Sequence, residues 1–241
     1  MEIKDKVVVI TGASAGIGLA AARRFAVAGA KVVLAARSTE KLNQLADELH
    51  SQGHEAIVVP TDMRNKTEVD RMIEAAVRHY GRVDILINNA GQATAGTIAD
   101  VSIDHYRQII DLNMFGPLYA MQAVIPQMRQ TGGGIIINIS SMVSKMHIPS
   151  LATYASTKAA LNILSDTARV ELAPDNIRVI TVYPRMTATD FGKNSLGNRQ
   201  MRQQQRSGAA GANVVVDSPE FVAGKILEAA QNEPAEQYMD A

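Results

Sequence analysis

The chain contains no cysteine. Disulfides, thiolate metal sites and cysteine nucleophiles are excluded together, although the absence does not by itself fix a compartment. An excess of charge is missing too. Lys plus Arg number 24, as do Asp plus Glu, so nothing in the balance asks for a polyanion partner. No apolar run approaches the ~20 residues that span a bilayer. Residues 1–6 lead straight into a strand pattern, which predicts no signal peptide. His50, His54, His79 and His105 lack ligand spacing, so no metal site is expected. What is present is ordinary globular composition, 46% hydrophobic and 20% charged over 241 residues, enough for one sizeable core. The expectation is a cytoplasmic enzyme acting on a small molecule, with no nucleic-acid or membrane partner.

Strand-like and helix-like segments alternate from the start. An apolar β-branched run at 7–11 is followed by glycines and an Ala-rich helical pattern that stops at Gly29. Next come a strand at 31–36, a helix from the N-cap Ser38 to about residue 50, and a strand at 56–60. An amphipathic helix at 65–80 closes on Gly81, before a strand at 83–87. Residues 103–113 and 115–130 read as helices interrupted near Gly116-Pro117. Strands at 134–140, 177–182 and 237–239 and helices at 153–173 and 219–231 complete the pattern. Apolar strands separated by helices predict an α/β fold, a doubly wound parallel sheet of Rossmann type. One domain over 1–241 is expected, with ligands beyond the carboxyl ends of the strands. Residues 185–216 turn polar and Gly/Ala-rich, as a substrate loop or lid would. Within them Arg199, Arg202 and Arg206 face either an anion or, as the commoner arrangement, solvent.

Gly12, Gly16 and Gly18 lie between the first strand and the first helix. There glycine allows a tight turn and close approach of a pyrophosphate to the helix N-terminus. The spacing is not G-x-G-x-x-G, and alone it also suits a plain strand-to-helix turn. The second strand ends Ala35-Ala36-Arg37, without the acidic residue that holds a ribose 2′-hydroxyl in NAD-specific folds. A guanidinium can pair with a 2′-phosphate instead, which favours NADP(H) over NAD(H). The bland alternative is a solvated turn arginine.

Tyr154 and Lys158 are four residues apart at a helix start and share a face. A phenol titrates near 10 unaided, and a neighbouring ammonium lowers that value toward the working range. Ser141, at the end of the fifth strand, can hydrogen-bond a substrate oxygen. Taken with the glycine turn, Asp62 after the third strand, Asn88-Asn89-Ala90-Gly91 after the fourth, and Asn113, this pattern resembles the short-chain dehydrogenase/reductase family over nearly the whole chain. The thirteen-residue interval from Ser141 to Tyr154 is the family's usual one.

The resemblance implies roles. Tyr154 is the general acid in carbonyl reduction and the base in alcohol oxidation. Ser141 orients the substrate oxygen, Lys158 lowers the Tyr154 pKa and holds the nicotinamide ribose, and Asn113 helps keep a relay water. Gly12, Ser14, Gly16, Ile17 and Gly18 cradle the cofactor, with Ser14 and Arg37 at the 2′-phosphate. Asp62 and Met63 flank the adenine, and Asn89, Ala90 and Gly91 lie along the cofactor. Pro184, Thr187 and Thr189 follow the sixth strand, Thr189 approaching the carboxamide or a phosphate. A homotetramer or homodimer built from helices near 115–130 and 153–173 is also implied. One departure stands out: the family commonly has Pro-Gly where this chain has Pro184-Arg185. Two readings of Arg185 are open, a tolerated substitution facing solvent or a pocket residue favouring anionic substrates. His147, six residues past Ser141, borders either substrate or open surface. Met142, Met146, Met186 and Met201 fall near the presumed mouth, where an adaptable pocket and ordinary packing explain them equally. The expected activity is an NADP(H)-dependent carbonyl reductase. An NAD(H)-dependent alcohol dehydrogenase and a non-catalytic nucleotide-binding module are the alternatives.

Overall fold

The computed structural model describes residues 1–197 and 215–240. Strand β1 (Val7–Thr11) is five consecutive buried residues, so both its faces must be covered. Its side chains alternate as the two-residue period demands. Val8 and Ile10 enter one core, Val7 and Val9 the other. The first core is closed by α1 (Gly16–Val27), α2 (Thr39–Ser51) and α7 (Pro219–Asn232). The second is closed by α3 (Lys66–Tyr80), α5 (Gly116–Gln130) and α6 (Ala152–Leu172).

The remaining strands are β2 (Lys31–Ala36), β3 (Ala56–Pro60), β4 (Ile85–Asn88), β6 (Gly134–Ile139), β7 (Ile177–Tyr183) and β9 (Glu236–Tyr238). With β1 they form one seven-stranded sheet in the order β3-β2-β1-β4-β6-β7-β9, every neighbouring pair parallel. The doubly wound expectation holds. The chain winds outward from β1 through β3, then returns to place β4 on the other side of β1. That reversal opens a crevice at the carboxyl ends of β1 and β4, where such sheets bind ligands.

Local signals account for most boundaries. Asn65 caps α3 by accepting from Thr67 N at 3.0 Å, and Gly81 ends it in the left-handed region at φ 81°, which glycine adopts without strain. Ser38 does stand at the N-cap of α2, but its hydroxyl makes no capping bond. The predicted interruption near Gly116-Pro117 is corrected. Helix α4 (Ile103–Ile110) runs through one wide π turn, Asp111–Phe115, directly into α5, with Gly116 N donating to Asp111 O. Pro117 falls in the first turn of α5, where a missing N–H is tolerated. Two short strands, β5 (Thr94–Ala95) and β8 (Leu196–Gly197), pair in parallel apart from the main sheet. The Arg199, Arg202 and Arg206 group and Met201 lie outside the described residues.

Candidate active site

The glycine turn is built for close approach. Gly12 and Gly16 have φ of +70° and +55°, and a Cβ on Gly18 would lie 2.3 Å from Gly12 O. A side chain at Gly12 or Gly18 would run into the turn itself and the segment after β4, so the glycines let the turn fold tightly against Asn89 and Ala90. The turn is tied to the segment after β4: Asn89 N and Ala90 N both donate to Thr11 Oγ1 at 3.0 Å, and Asn89 Nδ2 donates to Thr11 O at 2.8 Å. Helix α1 starts at Ala15 with no side-chain cap and no acidic residue in its first turn, leaving its N–H groups and positive dipole end open to an anion. These features fit a dinucleotide. Ser14 and Ile17 are half-buried beside them. Thr189 crosses from the far side, its Cγ2 3.1 Å from where a Gly16 Cβ would be.

Arg37 is exposed just beyond β2, with no hydrogen-bond partner among the described residues and only a long-range pull on Asp62. The Arg64 guanidinium beside Asp62 holds that carboxyl below the usual carboxylate range. The Met63 side chain is buried in the core under α5.

Four groups converge at the carboxyl end of β6. Tyr154 and Lys158, one turn apart on α6, are both buried, and Lys158 Nζ donates to Ile139 O at 2.8 Å. Ser141 caps a 3₁₀ turn (Met142–Lys145) by accepting from Val143 N at 3.3 Å, and it also hydrogen-bonds the Tyr154 phenol. Pro184 O receives Met142 N at 3.0 Å, fixing the turns after β6 and β7 together. Across Gly91 stand Asn113 and Lys158: a Cβ on Gly91 would lie 3.3 Å from Asn113 Oδ1 and 3.6 Å from Lys158 Nζ. The Asn113 side chain is fully used. Its Oδ1 accepts from Gln92 N at 3.0 Å, and its Nδ2 donates to Gln92 O at 2.9 Å and Thr157 Oγ1 at 3.0 Å. Pro117, four residues after Asn113, has no N–H to give the Asn113 carbonyl.

The lowering of the phenol expected from Lys158 is not seen, and burial dominates the titration of the pair. It pushes the Tyr154 phenol up to about 12 against the hydrogen bond from Ser141, and pulls Lys158 down to about 8. The phenol is therefore held protonated at neutral pH, the form an acid needs. The ring of Phe191 covers it, centroids 5.7 Å apart. A cleft of about 460 Å³ opens elsewhere, between α1 and the segment after β7, lined by Gly16, Arg23, Thr189 and Glu220 among others. It reaches the glycine turn but not Tyr154.

Arg185 matches neither reading of it. Its Nε and Nη2 reach Asp217 Oδ2 and Oδ1 at 3.1 and 2.9 Å, and Nη2 also donates to Met239 O at 3.0 Å. Asp217 is buried. Asp217 N donates to Met186 O at 2.8 Å and Ala188 N to Asp217 O at 2.9 Å, with Thr187 bridged to Asp217. Arg185 therefore fastens the two ends of the 188–216 excursion to each other. His147 and Met146 are exposed. Sequence reasoning missed Arg64, Gln92, Thr157, Phe191 and Asp217. None belongs to a motif, and each is found only by what the fold brings beside it.

The family profile described as short chain dehydrogenase matches residues 6–200. The uncharacterized oxidoreductase YxnA of Bacillus subtilis is 35% identical over 241 residues, covering 99% of this chain and 66% of that protein. This chain thus spans about two thirds of that relative's length. L-Sorbose reductase from Gluconobacter frateurii, solved with NADPH and L-sorbose, superposes with a TM-score of 0.83 at 31% identity over 95% of this chain and 92% of its own. A 7α-hydroxysteroid dehydrogenase solved with NADH and 7-oxo glycochenodeoxycholic acid gives 0.84 at 31% identity, covering 95% and 89%. Both nicotinamide cofactors occur among these structures.

Proposed function

The chain belongs to the short chain dehydrogenase family of oxidoreductases, and on that premise we propose that it is an NADP(H)-preferring reductase of carbonyl compounds to secondary alcohols. The observation that carries this reading is a protonated, buried Tyr154 phenol hydrogen-bonded to Ser141, with Lys158 one turn away. A bound nicotinamide supplies the hydride in reduction and accepts it in oxidation. The chain's own part is orientation and proton supply. Ser141 Oγ hydrogen-bonds the substrate oxygen, and the Tyr154 hydroxyl donates its proton to that oxygen as negative charge develops. Lys158, one turn along the same helix, would stabilise the resulting phenolate as an ammonium and hold ribose hydroxyls. The Asn113 carbonyl would hold a water of the proton relay.

Arg37, with no carboxylate at the end of β2, supports the 2′-phosphate assignment, and Ser14 in the glycine turn would join it. Gly12, Gly16, Gly18 and Asn89 to Gly91 would line the dinucleotide, with Asp62 and Met63 backbone at the adenine and Pro184, Thr187 and Thr189 at the nicotinamide end. We assign the cytoplasm as its compartment and a homodimer or homotetramer as its state. Exposed Ile163 and Val170, seven residues apart on α6, and Phe115 beside α5 support self-association.

Initial rates with NADPH and NADH over a panel of ketones and aldehydes test the assignment. We expect NADPH to be preferred at least tenfold. An equal or opposite preference removes the cofactor assignment, and tight NADPH binding without oxidation by any carbonyl points to a binding module. Tyr154→Phe should abolish turnover while nucleotide affinity stays within about twofold.

A further inference from the structure

Where β2 and β3 end side by side, Thr61 N donates to Ala36 O at 3.0 Å. The register of Ala36 with Pro60 brings Arg37 and Asp62 to one corner of the crevice. The charges there are closely matched. Arg64 grips Asp62 through both sides of its guanidinium: Nε lies 3.0 and 3.1 Å from the two carboxylate oxygens, and Nη2 closes on Oδ2. Glu68, in the first turn of α3, accepts from Asp62 N at 2.7 Å and from Asn65 Nδ2 at 3.0 Å. Asp111 is close enough to act on Arg64. Beside the unengaged guanidinium of Arg37 stands the Asp62 carboxylate, with Glu68 next to it on the Asp62 backbone, and Arg64 answers the Asp62 charge.

We propose that Arg64 is a specificity-determining residue for the cofactor's 2′-phosphate, acting through Asp62. The inference rests on the reading that Arg37 receives that phosphate. Without Arg64, Asp62 and Glu68 set two negative charges against one positive charge, and an incoming dianion meets repulsion. With Arg64 in place the Asp62 charge is answered and the planar fork of Arg37 engages the phosphate. Arg64 is not the phosphate ligand, since its own fork is occupied by Asp62. It removes a penalty that NAD(H), which lacks the 2′-phosphate, never meets.

Nucleotide fragments isolate this corner from catalysis. Calorimetric titration with adenosine 2′,5′-bisphosphate and with adenosine 5′-monophosphate compares the unsubstituted protein, R64M, R64K and the double variant D62N/R64M. We expect R64M to weaken bisphosphate binding about fivefold, the range open to partly exposed charges. The monophosphate should change less than twofold. R64K keeps the charge and should lose less than R64M, and D62N should restore most of what R64M lost. Salt near 0.5 M should shrink the difference. If R64M weakens both fragments alike, weakens neither, or is not rescued by D62N, Arg64 has no such role. The Arg37 reading is judged separately, by the unsubstituted protein: equal affinity for the two fragments removes it, whatever R64M does.

Discussion

Burying an ammonium costs free energy unless an opposite charge answers it, and among the described residues Lys158 Nζ meets only the neutral Ile139 carbonyl. The consequence is a value near 8, below the ordinary 10.5. A lysine whose folded pKa is depressed weighs against folding while the group is charged in both states. Stability then rises as pH climbs from about 8 to 10.5, where only the unfolded chain still holds the proton. Lys158→Met should therefore raise the unfolding free energy at pH 7, by up to roughly 3 kcal/mol, and its advantage should shrink between pH 8 and 10.5. A constant advantage would place the charge outside that window. Reduction should also decline above about pH 8 as the ammonium is lost, read as kcat against pH. At this scale the sequence was informative about the reacting groups, because Ser141, Tyr154 and Lys158 carry chemistry in their own side chains. Their supports were not legible. Nothing in Gln92 or Thr157 marks it as a partner of Asn113 until the turn after β4 and the helix α6 meet.

Among the elements, the run from α4 through the π turn into α5 shows how a correct signal can be misplaced. Gly116-Pro117 does mark a disturbance, but proline in a first turn breaks nothing; the wider turn falls just before it, at Asp111–Phe115. The disturbance serves the site, since Pro117 offers no N–H to the Asn113 carbonyl. Pro117→Ala would offer one. We expect a lower kcat with an unchanged or higher melting temperature, and an unaltered kcat would exclude that carbonyl from the proton relay. The strands β5 and β8 were illegible for another reason: two residues hold no periodicity, and their pairing is set by contacts about a hundred residues apart in sequence. The Arg185–Asp217 fastening belongs to this scale too. Arg185→Gly should lower kcat/KM on the order of tenfold by loosening Thr187 and Thr189. Charged and neutral carbonyls should suffer by the same factor, because the guanidinium points at Asp217 and Met239 O. Selective loss with anionic substrates would return Arg185 to the pocket.

For the whole molecule, the doubly wound parallel sheet was legible because few topologies suit alternating buried strands and helices, and right-handed crossovers thin them further. The ends of strands and helices mostly followed capping residues such as Asn65 and Gly81. The crevice between β1 and β4 makes a global prediction. Saturating nucleotide binds only the folded chain, so NADPH at a hundred times its Kd should add about 2.7 kcal/mol of stability. NADH at the same concentration should raise the melting temperature less, and an equal shift would contradict the cofactor assignment. No helix among the described residues is long and apolar enough to cross a membrane. The exposed Ile163 and Val170 of α6 predict a mass above that of one chain in sedimentation.

The fastening of residue 185 to residue 217 has an evolutionary reading as well. Once residues 185 and 217 are held together by the scaffold, extra residues inserted between them add little to the cost of closure, since doubling a closed loop adds only ~0.6 kcal/mol. Phe191 over the Tyr154 ring and strand β8 paired with β5 lie on the first part of that stretch, so exchange has to spare residues 185–197. Diversification of substrate range can proceed by changing length and content beyond residue 197, while the proton donor on α6 and the nucleotide crevice are inherited intact.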